Sequence, residues 1–418
     1  MVNKKIIYLF LISLIAAISL SPRLHLGFVP STGRNIDIRI EDILLCIGLI
    51  FWLCYFFVSG KYKFQKPPLF WPILAWISFG LFSVLVNLLF RDVNLEITFF
   101  YFLKEIEFFL FYFLFFYCLK NIDSGKRLMK YWIIFSLVNV FWLFYVFIFN
   151  VRWSMEPYGP NAFIEPSGPF PSGGFFLMLF IFFLNLFIFY YSKLNISKIK
   201  KVALFVVCIL PMVGVMWSGS MAATMGLLIS IVVSLFLFFK GRLNFIVTMK
   251  IIILIAIMLG VVVAAVYVLP VPQKIISFKK VMFEYASGDS ESRGGILREH
   301  LGMLIERPQY LVTGVGVFGE AHSQYMRVLL ERGIMGLFLF FWLMWSILKI
   351  SYNSFKDKNN LFKKGLTAGL FVATVSMLAM AIPNDVFMVV KPDEIYWFFT
   401  AMTMALIFVP VKAEQIVN

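Results

Sequence analysis

Hydrophobic residues run along this chain in long blocks separated by short, mostly lysine-bearing segments. Crossing a bilayer takes about 20 apolar residues, with about 17 to 25 tolerated. Blocks that fit fall roughly at 5–20, 42–59, 69–90, 97–118, 131–150, 174–192, 202–217, 221–239, 251–269, 333–350, 367–383 and 395–411. The pattern therefore predicts an all-α polytopic membrane protein of about 12 transmembrane helices. The first block follows Lys4 and Lys5, and its exit "ISLSPRL" is a poor small-x-small cleavage site, so a retained signal-anchor is expected.

The polar segments orient the helices. With the N-terminus in the cytoplasm, "GKYKFQK" (60–66), "KNIDSGKRLMK" (120–130), "KLNISKIKK" (193–201), "KGRL" (240–243) and "KDKNNLFKK" (356–364) all fall inside, as the positive-inside rule requires. The C-terminus then lies inside as well. The expected organisation is one integral domain: residues 1–269 form helices one to nine with outer loops 21–41 and 151–173, residues 270–332 form a long outer loop, and residues 333–418 form the last three helices.

Composition agrees, with 61% hydrophobic and only 14% charged residues. The net charge of +15 would suggest a nucleic-acid partner in a soluble protein, but here retained cytoplasmic lysine explains it. No nucleic acid is expected. Cys46, Cys54, Cys118 and Cys208 sit in apolar runs without disulfide or metal-ligand spacing.

The two faces differ in the kind of base they carry. The cytoplasmic side holds 20 lysines and 2 arginines, whereas the outer side holds 10 arginines and 4 lysines. Orientation is served equally by either residue, but only the planar guanidinium forms paired hydrogen bonds to phosphate or carboxylate. The outer arginines can therefore bind phosphate, or they can pair with outer acids such as Glu284, Glu291, Glu306 and Glu320. Arg23, Arg34, Arg39, Arg91 and Arg152 stand where acids are few.

The loop 151–173 contributes Trp153, Tyr158, Phe163 and Phe170, rings that either stack on sugars or anchor the loop at the membrane interface. In the long loop, Ser292 is placed to cap an amphipathic helix with Leu297, Leu301, Leu304 and Ile305 along one face, stopped by Pro308. Arg293 and Arg298 fall off that stripe. Inside helix four, Lys104 and Glu107 at i,i+3 can neutralise each other or line a cavity.

The run "RGGILREHLGMLIERPQYLVTGVGVFGEAHSQYMRVLLERGIMGLFL", Arg293 to Leu339, resembles the signature region of the O-antigen ligase and polymerase superfamily, the Wzy C-terminal domain family. Its pattern is an Arg opening a periplasmic helix, Pro308, a turn at Gly314 and Gly316, His322, then Glu331, Gly333 and Gly336 leading into a helix. Two positions depart from it. Ser323 replaces the usual Asn after the His, and "WSGSMAATMG" has Ser220-Met221 where many members carry Ser-Arg.

The resemblance implies a glycosyltransferase of the GT-C type with residues 270–332 as a periplasmic catalytic loop in a bacterial inner membrane. The donor would be an undecaprenyl-pyrophosphate-linked oligosaccharide, and the acceptor a glycan or lipid A-core hydroxyl. His322 is the candidate base, with a turn-capping role as its alternative. Arg293, Arg298, Arg152, Arg327 and Ser220 are the candidate pyrophosphate ligands, one arginine standing in for the one missing at Met221. Other polysaccharide-assembly proteins are possible partners. No cofactor is implied, and no sequence spacing suggests a metal on the outer face. The reading favoured is repeat-unit polymerase, with ligase as the alternative and a lipid-oligosaccharide transporter as the less favoured third. His25 and His300 are read as ordinary loop residues.

Overall fold

A computed structural model of the protein describes residues 4–20, 23–29, 34–59, 66–90, 95–119, 121–148, 169–191, 198–218, 220–240, 293–316, 323–356, 360–388 and 390–408, with four isolated positions between 253 and 260. Its helices are α1 (Lys4–Leu20), α2 (Ile40–Ser59), α3 (Phe70–Phe90), α4 (Leu95–Cys118), α5 (Ile122–Ile148), α6 (Pro169–Tyr191), α7 (Lys198–Trp217), α8 (Met221–Lys240), α9 (Arg293–Glu306), α10 (Tyr310–Thr313), α11 (Gln324–Phe355), α12 (Leu361–Met380) and α13 (Val390–Phe408). Among the described residues, Phe70–Phe90, Ala222–Lys240, Gln324–Phe355 and Leu361–Met380 are long and apolar enough to cross a membrane. Lys5–Leu20, Gly173–Phe189 and Val202–Met216 are apolar but shorter. The protein is a multi-pass helical bundle. The expected span at 251–269 lies largely outside the described residues.

The all-α expectation is corrected at the segment 21–41. There, β1 (Arg23–Val29) and β2 (Arg34–Arg39) pair antiparallel, with Arg23 opposite Arg39 and Val29 opposite Arg34, and an irregularity between His25 and Gly27. Period-two placement of Leu24, Leu26 and Phe28, then Ile36 and Ile38, around "PSTG" is the local reason. The largest early starts relative to the apolar blocks are those of α5 at Ile122 and α11 at Gln324, because both carry polar first turns.

The core forms around α6, which is apolar on every side and buried throughout Gly173–Phe189. Helices α7, α8, α12 and α13 pack around it. α12 comes close because its facing positions are Gly365 and Gly369: a side chain at Gly369 would meet the Phe182 ring at 2.7 Å, and one at Gly365 the Leu186 backbone at 3.0 Å. α13, buried from Lys391 to Leu406, joins three helices through adjacent rings. Phe399 stacks on Phe182 of α6 at 3.9 Å, and Phe398 meets Phe115 of α4 at 4.5 Å and Trp132 of α5 at 5.1 Å.

Buried polar side chains tie helices together in the same region. Asn185 of α6 donates to Ser234 Oγ of α8 at 3.0 Å, Asn139 of α5 donates to the Ser19 carbonyl of α1 at 3.1 Å, and the Thr374 and Tyr396 hydroxyls of α12 and α13 meet at 2.9 Å. With no water alternative in an apolar bundle, such bonds fix rotation and depth.

The amphipathic helix α9 forms as predicted but turns a different stripe inward. Leu304 is buried against Met326 and Leu330 of α11, with Leu297 and Met303 beside it, whereas Leu301 and Ile305 are exposed at 42% and 78%. His300, read from sequence as a loop residue, is buried on the inward face of α9.

Candidate functional site

The site is an elbow formed by α9, α10 and the start of α11. Pro308 cannot donate into a continuing helix, so α9 ends and the chain turns into the single turn α10. Gly314 follows with φ +70° and Gly316 with φ +85°. Beyond residues 317–322, Ser323 stands at the N-cap of α11, whose first nine residues end at a break: Gly333 has φ 67° and ψ −167°, a conformation open in practice only to glycine.

That break frees two carbonyl groups from the helical ladder, and both find donors. Val315 N–H donates to the Leu330 carbonyl at 2.5 Å. The Ser83 hydroxyl of α3 donates to the Glu331 carbonyl at 2.9 Å and shares its hydrogen with the Thr313 carbonyl at 2.8 Å. A Cβ at Gly314 would collide with the Glu331 backbone, and one at Gly333 would come within 2.7 Å of the Val312 carbonyl oxygen. The two glycines thus allow the α10 turn to pack directly on the break in α11.

The first turn of α11 is fixed from the other side by the segment following α12. Gln324 N–H donates to the Ala381 and Asn384 carbonyls at 3.0 and 3.2 Å, and its Oε1 accepts from Phe387 N–H at 3.1 Å. The elbow thus has two anchors among the described residues, Gly316 beside Asn87 and Ser323 beside Ala381.

Two buried arginines sit just behind the elbow. Arg327 donates through Nε to Glu331 Oε1 at 2.9 Å and through Nη1 to Asp385 Oδ2 at 3.2 Å, while its Nη2 is buried without a hydrogen-bond partner. Arg332 forms an ion pair with Glu105 Oε2 of α4, and its guanidinium lies 4.2 Å from the centre of the Trp76 ring. Trp76 Nε1 donates to Glu105 Oε1 at 2.8 Å, so both carboxylate oxygens are engaged. A small cleft opens here, lined by Ser83, Tyr101, Phe102, Glu105, Glu331 and Arg332 among others.

The residues expected from sequence fall into three groups. Pro308, Gly314, Gly316, Glu331, Gly333 and Gly336 come together as the elbow and its helical continuation. Arg327 is beside it, paired with two carboxylates. Ser220 lies elsewhere, at the start of α8, where its Oγ accepts from Ala223 N–H at 3.2 Å as an N-cap. Arg298 is exposed on α9. Arg293 opens α9, but its side chain, along with His322, Arg152 and the proposed cap Ser292, lies outside the described residues. Sequence reasoning missed Arg332 and Asp385 as structural partners. The signal for the first was Glu105, an acid inside an apolar helix that needs a cation from somewhere.

Residues 203–341 match the family model described as O-antigen ligase. That stretch is similar to the O-antigen ligase family. Its match supports the O-antigen ligase and polymerase superfamily, and spans α7, α8, α9, α10 and α11 as far as Phe341. The whole elbow is inside the O-antigen ligase match, while the groups that brace it, Ser83, Trp76, Glu105 and Asp385, come from outside it. No curated protein matches the chain.

Removing one member of the Arg332–Glu105 pair leaves a buried charge without its counter-ion, which costs about 3 to 5 kcal/mol. Arg332→Met is expected to lower the thermal midpoint of detergent-solubilised protein strongly, and Arg332→Met with Glu105→Leu to recover most of the loss. Equal destabilisation by the single and double changes would mean that the pair does not set the stability of this region.

Proposed function

We propose that the protein is a membrane glycosyltransferase that transfers a polyprenyl-pyrophosphate-linked oligosaccharide to a sugar hydroxyl on the outer face of the bacterial plasma membrane. The observation that carries this reading is the O-antigen ligase match across an elbow whose two anchors bracket His322. In the reaction, the acceptor oxygen forms a bond to the anomeric carbon. The bond from that carbon to the phosphate oxygen breaks, and its electron pair leaves on the lipid pyrophosphate. The acceptor proton passes to the His322 imidazole, whose ordinary pKa near 6.5 suits a base at neutral pH.

Arginine neutralises the leaving group in this scheme. With the guanidinium groups of Arg327 and Arg332 engaged by carboxylates, the first contacts to pyrophosphate are assigned to Arg293, Arg298 and Arg152. Arg293 is favoured, since it opens α9, where the helix N-terminus itself favours an anion. Arg327 is the support that keeps the first turn of α11 in register, with its remaining Nη2 donor directed to substrate on binding. Ser220 is a phosphate contact in the same reading only if the donor reaches the start of α8.

The acceptor assigned is another lipid-linked repeat unit, making the enzyme a polysaccharide polymerase. The second reading, transfer of finished polymer to lipid A-core sugars, is favoured by the similarity to the O-antigen ligase family. Lysine-rich segments at 60–66, 193–201 and 356–364 support cytoplasmic termini and an outward-facing elbow.

Orientation is checked first. A cysteine at Tyr285 should react with an impermeant reagent in intact cells, and one at residue 61 only after permeabilisation; the reverse pattern would remove the outward-facing site.

His322→Ala is expected to lower transfer by about 10²- to 10⁴-fold at normal expression. The glycan of the deletion strain then separates the readings, single capped repeats for a lost polymerase and free lipid-linked polymer for a lost ligase. Full assembly by His322→Ala would leave the histidine as a turn cap.

Arg293→Lys should reduce transfer by roughly 10- to 100-fold, close to Arg293→Ala, because lysine keeps the charge but not the paired donors. Arg307→Lys should be silent, since Arg307 is exposed and its guanidinium donates to the neighbouring Tyr310 hydroxyl at 2.9 Å. Equal tolerance at both positions would pass the role to Arg298 or Arg152.

A further inference from the structure

A second group of charges lies at the same end of the bundle, between α2, α4 and α13, and plays no part in the transfer chemistry. Glu105 and Glu107 are two residues apart on α4, so they point to nearly opposite sides of the helix. Glu105 faces Arg332 and Trp76. Glu107 faces α2 and α13, where its carboxylate oxygen comes together with those of Asp42 and Glu394, all three within 4.8 Å of one another.

We propose that Asp42, Glu107 and Glu394 form a divalent-cation site, with calcium as the favoured ion, that binds α2, α4 and α13 to one another. The first support is the state of the oxygens. Lys104 Nζ reaches Asp42 Oδ2 at 2.5 Å and Glu107 Oε2 at 2.9 Å, which uses one oxygen of each acid. Asp42 Oδ1, Glu107 Oε1 and both oxygens of Glu394 remain buried with no hydrogen-bond partner. Glu394 is fully buried, and three acids have converged on one point where Lys104 satisfies only two of them. Carboxylates left in that condition are costly unless a cation meets them.

The charge balance points the same way: the three carboxylates of Asp42, Glu107 and Glu394 meet one ammonium, Lys104, so the cluster itself carries more negative groups than positive ones. Ligand chemistry gives the class, because an all-oxygen set selects magnesium, calcium or manganese over softer metals. Calcium is favoured within that class because it takes carboxylate oxygens in flexible geometry, whereas magnesium demands a near-ideal octahedron and keeps several of its waters. An ion has a way in as well: the Asp42 and Lys104 side chains keep 14% and 18% of their surface accessible.

The ion acts on packing and not on the reacting phosphates, so its failure and the failure of the glycosyltransferase reading are separately visible. Full-length protein in detergent, stripped with EDTA and titrated with calcium chloride, should bind one calcium per chain. Its thermal midpoint should rise by about 5 °C at a hundredfold excess over the Kd. Glu394→Gln, which keeps the shape and removes the charge, should weaken binding by tenfold or more and abolish the thermal shift. Asp42→Asn should do the same, and Asp123→Asn, on the exposed start of α5, should leave both intact. No bound calcium and equal midpoints in calcium and EDTA would overturn the site, leaving shared protons as the means by which these acids are neutralised. Calcium binding unaffected by Glu394→Gln and Asp42→Asn would put the ion elsewhere and overturn it equally.

Discussion

The Arg332 guanidinium is held between the Glu105 carboxylate and the face of Trp76, almost fully buried at the edge of the cleft. A cation taken into such surroundings loses several kcal/mol of hydration and recovers it only through close, well-aligned partners. The partners come from α3 and α4, so the pairing determines where α11 can cross them. Arg332 is also the residue before the Gly333 break, and its fixed position sets the direction in which the chain leaves α11 toward the elbow. Arg327, five residues earlier, repeats the arrangement with Glu331 and Asp385 and binds the same helix to the segment after α12.

Between these two charged fixtures the backbone does the fine positioning. The Leu330 and Glu331 carbonyls, released at the break, are met by Val315 N–H and the Ser83 hydroxyl, so helix α11 gives up part of its own ladder to hold the preceding turn. The described ends on either side of the segment 317–322, Gly316 and Ser323, are thereby fixed by packing and hydrogen bonding to α3 and to the segment after α12.

Much of this was legible in the sequence, and the rest was hidden for identifiable reasons. Long apolar blocks located α1 to α8 and α11 to α13, and the Pro308, Gly314, Gly316 and Gly333 pattern located the elbow. Hydropathy alone started α11 too late, at 333, because Arg327, Glu331 and Arg332 look like loop residues until their partners are known. Those partners stand 58 and 227 residues away in the chain, beyond any local pattern. The β1–β2 hairpin was passed over because its alternation is short and a search for bilayer-length blocks does not register period two. The α9 stripe was out of phase by a few residues. Several apolar residues there fit more than one helical face, and only the position of Met326 and Leu330 decides which one is covered. The Lys104–Glu107 pair was readable at i,i+3, but Asp42 and Glu394 as its neighbours were not.

The hairpin between α1 and α2 bears on how the chain is assembled. Arg23 pairs with Arg39, one residue before α2 begins, so the first two helices leave the ladder side by side, about 5 Å apart at that point. They form a local unit that can be completed as soon as both have left the ribosome. The charges at its mouth are fully answered only much later, when Lys391 at the start of α13 donates to the Ile18 carbonyl at 2.6 Å and pairs with Glu41 at 3.4 Å. The first helical unit to be synthesised, in which Arg39 and Glu41 already pair at 3.6 Å, is thus closed by the last.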